Sequence, residues 1–241
     1  MKSYVLLIAD RDDAVLLKKY RQKRAVLKEL YRRGVHVPLP DGVLISPTAT
    51  IGEGTLILPG TIIKDGCEIG KNCVIGPNTV LYKTQIGDSS TLNSVQAEEA
   101  VIGSGVTIGP FAHIRPGSVI ESFARIGNFV EIKKSVIGEK TAVSHLTYVG
   151  DSDVGKNVNF GCGTVTVNFN GKEKNRCKIG DNAFIGCNTN LIAPVSVGER
   201  AYTAAGSTIT EDIPADALAI ARERQIIKAD WVKKRKPYRE K

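Results

Sequence analysis

Aliphatic residues recur every six positions through most of this chain. Ile45, Ile51, Ile57, Ile63, Ile69, Ile75 and Leu81 keep the spacing without a break. It resumes at Ile102, Ile108, Ile114, Ile120, Ile126 and Ile132, and again at Ile179, Ile185, Leu191, Val197, Thr203 and Ile209. A period of six is not helical, and the alternation of an ordinary β-sandwich does not lock to it. It fits one flat side of a triangular coil with three sides per turn, the aliphatic residue pointing inward on each side. Glycine follows many of these positions, and Gly, Asn and Asp supply the unusual backbone angles that tight corners need. Stacked parallel coils then bury aliphatic columns and satisfy the backbone between neighbours. The fold class is therefore all-β, a left-handed parallel β-helix of about nine turns of ~18 residues. Low aromatic content and 24 glycines agree with short strands and many turns.

Three zones follow: a helical arm over 1–40, the β-helix over 41–212, and a C-terminal helix with a basic tail over 213–241. In the arm, Asp12 and Asp13 suit a helix start; Leu16, Tyr20, Leu27, Leu30 and Tyr31 form a helical stripe, and Gly34 stops it. After Pro214 the spacing predicts a helix over Ala217–Val232. The repeat slips around Tyr82–Gln85 and Ser94–Ala100. It is also interrupted at 167–178, a polar stretch with Asn170-Gly171 that reads as a loop extruded from a coil. Loops on rigid scaffolds commonly carry function.

The formal net charge of +8 is concentrated at the two ends, and the central body is slightly acidic. That argues against nucleic-acid binding, which places a basic stripe on the folded body. No apolar run reaches the ~18 residues of a transmembrane helix. The N-terminus lacks the features of a signal peptide. Five cysteines, an odd count with no C-x-x-C, fit reduced thiols in a cytoplasmic protein.

The segment from Gly109 to Ala221 carries more than the repeat. It contains GPFAHIRPGS, IGNFVEIKKS, SHLTYVGDSDVGKNVNFGCGT, VNFNGKEKN, IGDNAFIGCNTNLIAPVSVG and ITEDIPADALAIAR. These resemble the acetyltransferase half of the bacterial bifunctional N-acetylglucosamine-1-phosphate uridyltransferase/glucosamine-1-phosphate N-acetyltransferase. The resemblance covers roughly residues 45–225 and is close over 109–222. It implies acetyl transfer from acetyl-CoA to the amine of glucosamine-1-phosphate, supplying UDP-N-acetylglucosamine and peptidoglycan precursors. With only 40 residues ahead of the repeat and no Gly-rich nucleotide loop, uridyl transfer is expected to be absent.

Acetyl transfer to an amine needs a base, a donor for the developing oxyanion and a grip on the phosphate. His145 is the candidate base; the other histidines are His36 and His113. The resemblance assigns Arg115 and Lys133 to the phosphate, with Tyr148, Asn159 and Lys174 completing the pocket and Glu131 orienting the sugar. It assigns acetyl-CoA to Cys162, Asn168, Phe169, Cys187, Ala205 and Arg222, with a backbone N–H near Cys162 as oxyanion donor. Relatives have small residues where this chain has Cys162 and Cys187, and a tyrosine or similar residue where it has Phe169. No metal is expected. The family's sites form where three prisms meet, so a homotrimer is expected. Alternatives are an acetyltransferase for another amino-sugar phosphate or nucleotide amino sugar, and a catalytically silent scaffold. A zinc carbonic anhydrase on the same coil would need a third histidine in the repeat. A Cys162 nucleophile has no evident paired base.

Overall fold

The computed structural model describes the backbone of residues 11–235 and the side chains of Arg21 and of 23–235. Helix α1, Arg11–Arg32, ends at Gly34, which takes a left-handed φ of 75°. The Gly34 N–H donates to the Tyr31 carbonyl, and the Val35 N–H to the Leu30 carbonyl. Leu30 and Val35 are both buried, so the helix stop is also a hydrophobic clamp. The proposed helix-start residues Asp12 and Asp13 and the stripe residues Leu16 and Tyr20 lie outside the described side chains. After α1 the chain lays His36 against the first coil. Its N–H donates to the Thr55 carbonyl, and its carbonyl accepts from Ile57. Val35 and Val37 thus close the open end of the prism over the core.

The remainder is a left-handed parallel β-helix with three faces of ten, nine and ten strands. Face 1 starts at Leu44–Ile45, face 2 at Thr50–Ile51 and face 3 at Leu56–Ile57, and every strand pairs with its counterpart one coil on. The hexapeptide aliphatics form the core: Ile57, Ile75, Ile108 and Ile126 on face 3 are essentially inaccessible, as are Ile63, Leu81, Ile114 and Ile132 on face 1. Two positions earlier lies a column of small residues, many of them threonine. Their hydroxyls bond between coils: Thr55 Oγ1 donates to the Gly70 carbonyl and accepts from the Cys73 N–H. A buried hydroxyl is tolerated there because it is satisfied.

Two readings need correction. The coil is not uniformly eighteen residues: Ile62 pairs with Val80 eighteen residues on, Val80 with Gln96 sixteen on, and Gln96 with His113 seventeen on. The long step from Val165 to Asn190 offsets these short turns, and the stack reaches about ten coils where nine were expected because its strands continue to Leu218–Ala219. The expected C-terminal helix over Ala217–Val232 is also not what forms. Leu218–Ala219 is a strand on face 3 paired with Tyr202–Thr203, and α2 is only Trp231–Arg235. The last full coil leaves backbone donors open at the end of the stack. Tyr202 and Ala204 N–H groups bond the Ala217 and Ala219 carbonyls, holding that stretch extended. The basic tail beyond 235 lies outside the described residues.

Between Asp153 and its partner Lys178 the chain takes twenty-five residues instead of seventeen or eighteen. The surplus is the polar loop, which leaves the corner between faces 1 and 2. An antiparallel bridge joins Phe169 to Lys174 across its tip. The Asn170 carboxamide oxygen accepts from the Lys172 and Glu173 N–H groups. The Arg176 guanidinium pins the loop's base, bonding the Asp153 carboxylate and the Lys134 carbonyl. None of the described helices is long and apolar enough to cross a membrane.

Candidate active site

His145 ends the face 3 strand Ala142–His145, immediately before the corner into face 1. Most face 3 strands are two residues long; here and at Arg125–Asn128 the ladder continues to the corner, pairing Asn128 with His145. His145 Nδ1 lies 2.8 Å from Asn128 Oδ1. The imidazole is exposed, and Asn128 is half-buried beneath it. Leu146 then turns the chain with φ of 44°, its N–H bonding the Asn128 carbonyl at 3.0 Å.

The same corner repeats upward. Extending the register of Ala142 with Asn159, and of Asn159 with Phe184, places Cys162 above His145 and Cys187 above Cys162. The pairing of Phe184 with Tyr202 then places Ala205 next. The Asn188 N–H bonds the Cys162 carbonyl at 2.7 Å, and the Gly206 N–H the Cys187 carbonyl at 2.8 Å. A Cβ on Gly206 would sit 3.7 Å from the Arg222 side chain. Histidine therefore heads a line of small side chains that ends at a cation.

Across the corner, face 1 carries a polar cluster. Glu131 pairs with Tyr148, and Lys133 with Gly150. Arg115 donates to Glu131 Oε1 at 2.7 Å. This carboxylate raises the guanidinium's pKa above its ordinary value. Lys133 is largely buried and donates to Asp151 Oδ2 at 3.0 Å. Burial is the largest single influence and pulls its pKa down, but the bond to Asp151, that carboxylate's charge and the contacts with Lys174 and Tyr148 together leave it raised. Asp151 shows the mirror case: burial would raise its pKa, yet bonds from Lys133 and from the Asn168 amide hold it low. Lys174, on the loop, sits beside Lys133, and that like charge lowers its pKa. The Tyr148 hydroxyl accepts from Asn168 Nδ2 at 3.4 Å. It lies over Gly150, where a Cβ would come within 2.3 Å of it. Glycine is thus needed at 150 for the phenol to lie flat.

The structure brings together Arg115, Glu131, Lys133 and Tyr148 on face 1 with Lys174 of the loop beside them, and places His145 at that face's edge. Asn168, assigned by resemblance to the cofactor, is buried against Asp151 and Tyr148 in this cluster. Asn159 stands apart, on face 3 one coil above Ala142. Phe169 is exposed on the loop, and Cys187 and Ala205 are exposed on the corner line. Sequence reasoning missed Asn128 and Asp151 as partners of the site, although the quoted motifs NFVE and HLTYVGD contain them. Among the described residues, no group of three or more His, Cys, Asp or Glu could hold a metal ion.

Beside the histidine line, the corner residues Phe111, Phe129 and Leu146 are exposed and hold φ of 60°, 55° and 44°. The two phenyl rings stack at 5.5 Å. Bulky apolar residues in that backbone region cost ~1–3 kcal/mol each. Exposed together they make a hydrophobic stripe.

The bacterial transferase hexapeptide family model (six repeats) matches residues 48–83, 99–134 and 176–211. The bifunctional protein GlmU of Acetivibrio thermocellus is 53% identical over 210 residues, covering 87% of this chain and 46% of that protein. GlmU of Halalkalibacterium halodurans is 50% identical over 226 residues, covering 93% of this chain and 50% of the relative. The chain thus spans about half the length of these relatives. Among solved structures, the Arabidopsis UDP-N-acetylglucosamine acyltransferase superposes with a TM-score of 0.56 at 17% identity. It covers 75% of this chain and 70% of that one, a likeness of fold.

Proposed function

This chain belongs with the hexapeptide-repeat proteins homologous to bifunctional GlmU, and from that premise we propose that it is a cytoplasmic N-acetyltransferase. It moves acetyl from acetyl-CoA to the amine of glucosamine-1-phosphate, giving N-acetylglucosamine-1-phosphate for UDP-N-acetylglucosamine synthesis. The observation that carries this reading is the gathering of three cations, two on face 1 and one on the loop over it, with a histidine at that face's edge. Arg115, Lys133 and Lys174 gather with no acidic excess, the charge a phosphomonoester dianion requires. A face three residues wide is ~10 Å across. A hexose held by its phosphate near Lys133 can therefore reach toward the corner where His145 stands.

In this mechanism the His145 imidazole takes a proton from the amine, whose nitrogen attacks the thioester carbonyl carbon. The carbonyl oxygen becomes an oxyanion. Cys162 supplies a backbone N–H without a backbone or side-chain acceptor among the described residues, a suitable oxyanion donor. Collapse expels the CoA thiolate, which leaves with the proton from the imidazolium. Acetyl-CoA lies along the line of Cys162, Cys187 and Ala205, whose short side chains leave room, with Arg222 toward its phosphates. Phe111, Phe129 and Leu146 support a homotrimer, since an exposed apolar stripe of this kind marks an interaction surface. A second chain there would stand beside His145.

The test is turnover of acetyl-CoA with glucosamine-1-phosphate, galactosamine-1-phosphate or UDP-glucosamine, followed through free CoA thiol. Selective use of glucosamine-1-phosphate supports the reading, and use of another amino sugar changes the substrate while keeping the chemistry. No turnover in a folded oligomer leaves a silent scaffold.

A further inference from the structure

We propose that Asn128 is a positioning residue that fixes the tautomer of His145, leaving Nε2 as the proton acceptor. The inference rests on His145 being the base of the proposed reaction. The Asn128 Oδ1 atom, 2.8 Å from Nδ1, is a carbonyl oxygen and can only accept. Nδ1 therefore carries the hydrogen, and the ring's lone pair sits on Nε2, on the side away from Asn128.

The backbone is built to hold this pair. The ladder runs through Asn128 and His145, beyond the two-residue pairing typical of face 3. Gly127 makes that approach possible: a Cβ there would lie 1.8 Å from the Ser144 carbonyl oxygen. The Leu146 N–H bond to the Asn128 carbonyl closes the same link from the corner side. Backbone and side chain thus repeat one register contact.

The choice of an amide over a carboxylate has a chemical consequence. A carboxylate at this place would stabilise the imidazolium and hold the ring protonated to higher pH. A neutral amide orients the ring without adding that charge, which suits a base that must be unprotonated to act. The charged and titratable groups on the neighbouring elements are few. Arg125 lies at the far end of the strand below, and the Cys162 thiol stands one coil above. Past the corner on face 1 stand Glu131, bonded to Arg115, and Tyr148, whose phenol runs on over Gly150.

The test uses the full chain with 15N-labelled histidine. With only His36, His113 and His145 to assign, long-range 1H–15N spectra report the tautomer of each ring. The neutral His145 ring is expected in the Nδ1–H form, moving toward Nε2–H in Asn128→Ala. In N128D, the midpoint of its titration should rise by about one pH unit or more. The acid limb of the kcat/KM profile should move up with it. N128A should lower kcat about ten-fold or more with KM for both substrates nearly unchanged, the signature of a misdirected imidazole. A His145 ring in the Nε2–H form in the unmodified protein would overturn the inference, as would a folded N128D variant whose titration midpoint stays in place. Activity that survives His145→Ala while the tautomer result stands would instead remove the base assignment.

Discussion

The coils between Leu44 and Leu81 and those between Ala112 and Val167 share one core and differ in almost everything outside it. In the first region the register advances by eighteen residues from Ile45 to Ile63 and from Ile63 to Leu81. In the second it advances by eighteen from Ile114 to Ile132, then by seventeen from Ile132 to Val149, and the next face extrudes a loop. The inward residues are nonetheless equally buried: Ile63 and Leu81 match Ile114, Ile132 and Val149. The outward ones diverge, from Leu44, Ile62 and Val80 to His113, Glu131 and Tyr148 along one face. A β-helix can vary its outer surface because inward and outward positions alternate along each strand. Removing a residue at a corner need not disturb the aliphatic column.

That separation can be broken by mutation. The largest effect should come from His145→Ala, lowering kcat by about 10²–10⁴. Because the ring is exposed, its thermal unfolding should stay close to that of the unmodified protein. Ile57→Ala in the plain coils should do the reverse, costing about 2–5 kcal/mol of stability in denaturant unfolding. The KM of the remaining folded enzyme should be unchanged. If Ile57→Ala alters KM, scaffold and site are not separable.

A smaller effect is expected where the site enters the interior. Lys133 and Asp151 are the site's buried ion pair. Lys133→Ala should raise KM for the sugar phosphate and also destabilise by about 3 kcal/mol, because Asp151 stays buried without its cation. The pair has a pH signature. Asp151's carboxyl is held below its ordinary value, so its contribution to stability is complete above about pH 4 and is lost as pH falls through the lowered folded value. Asp151→Asn should flatten the acid side of a melting-temperature profile, and an unchanged slope would contradict the pairing. The smallest effect belongs to Arg176→Ala. Its ion pair with Asp153 is nearly half-exposed and worth about 0–1 kcal/mol. Unpinning the loop that carries Lys174 should raise KM a few-fold with little change in melting.

Much of this was legible in the sequence, for an identifiable reason. Each inward aliphatic repeats at a fixed period, so the core positions, the corners and the extruded loop could be read from single residues. Lost were features that depend on how coils stack. Sixteen- and seventeen-residue turns look like noise in a six-residue register until Val80 is seen opposite Gln96. Leu218–Ala219 reads as part of a helix until the open backbone of Tyr202–Thr203 is seen to need a partner. Asn128 and Asp151 lay in quoted motifs, but residues seventeen and eighteen positions away reveal their roles, His145 for one and Lys133 for the other.

The most direct test is a crystal structure of the protein with CoA and N-acetylglucosamine-1-phosphate. Phosphate density is expected among Arg115, Lys133 and Lys174, the acetamide nitrogen at His145, and CoA along Cys162, Cys187 and Ala205. Sugar phosphate bound elsewhere would contradict it, for instance in the cavity of about 470 Å³ between α1 and the first coils, lined by Leu27, Val43, Ile62 and Tyr82.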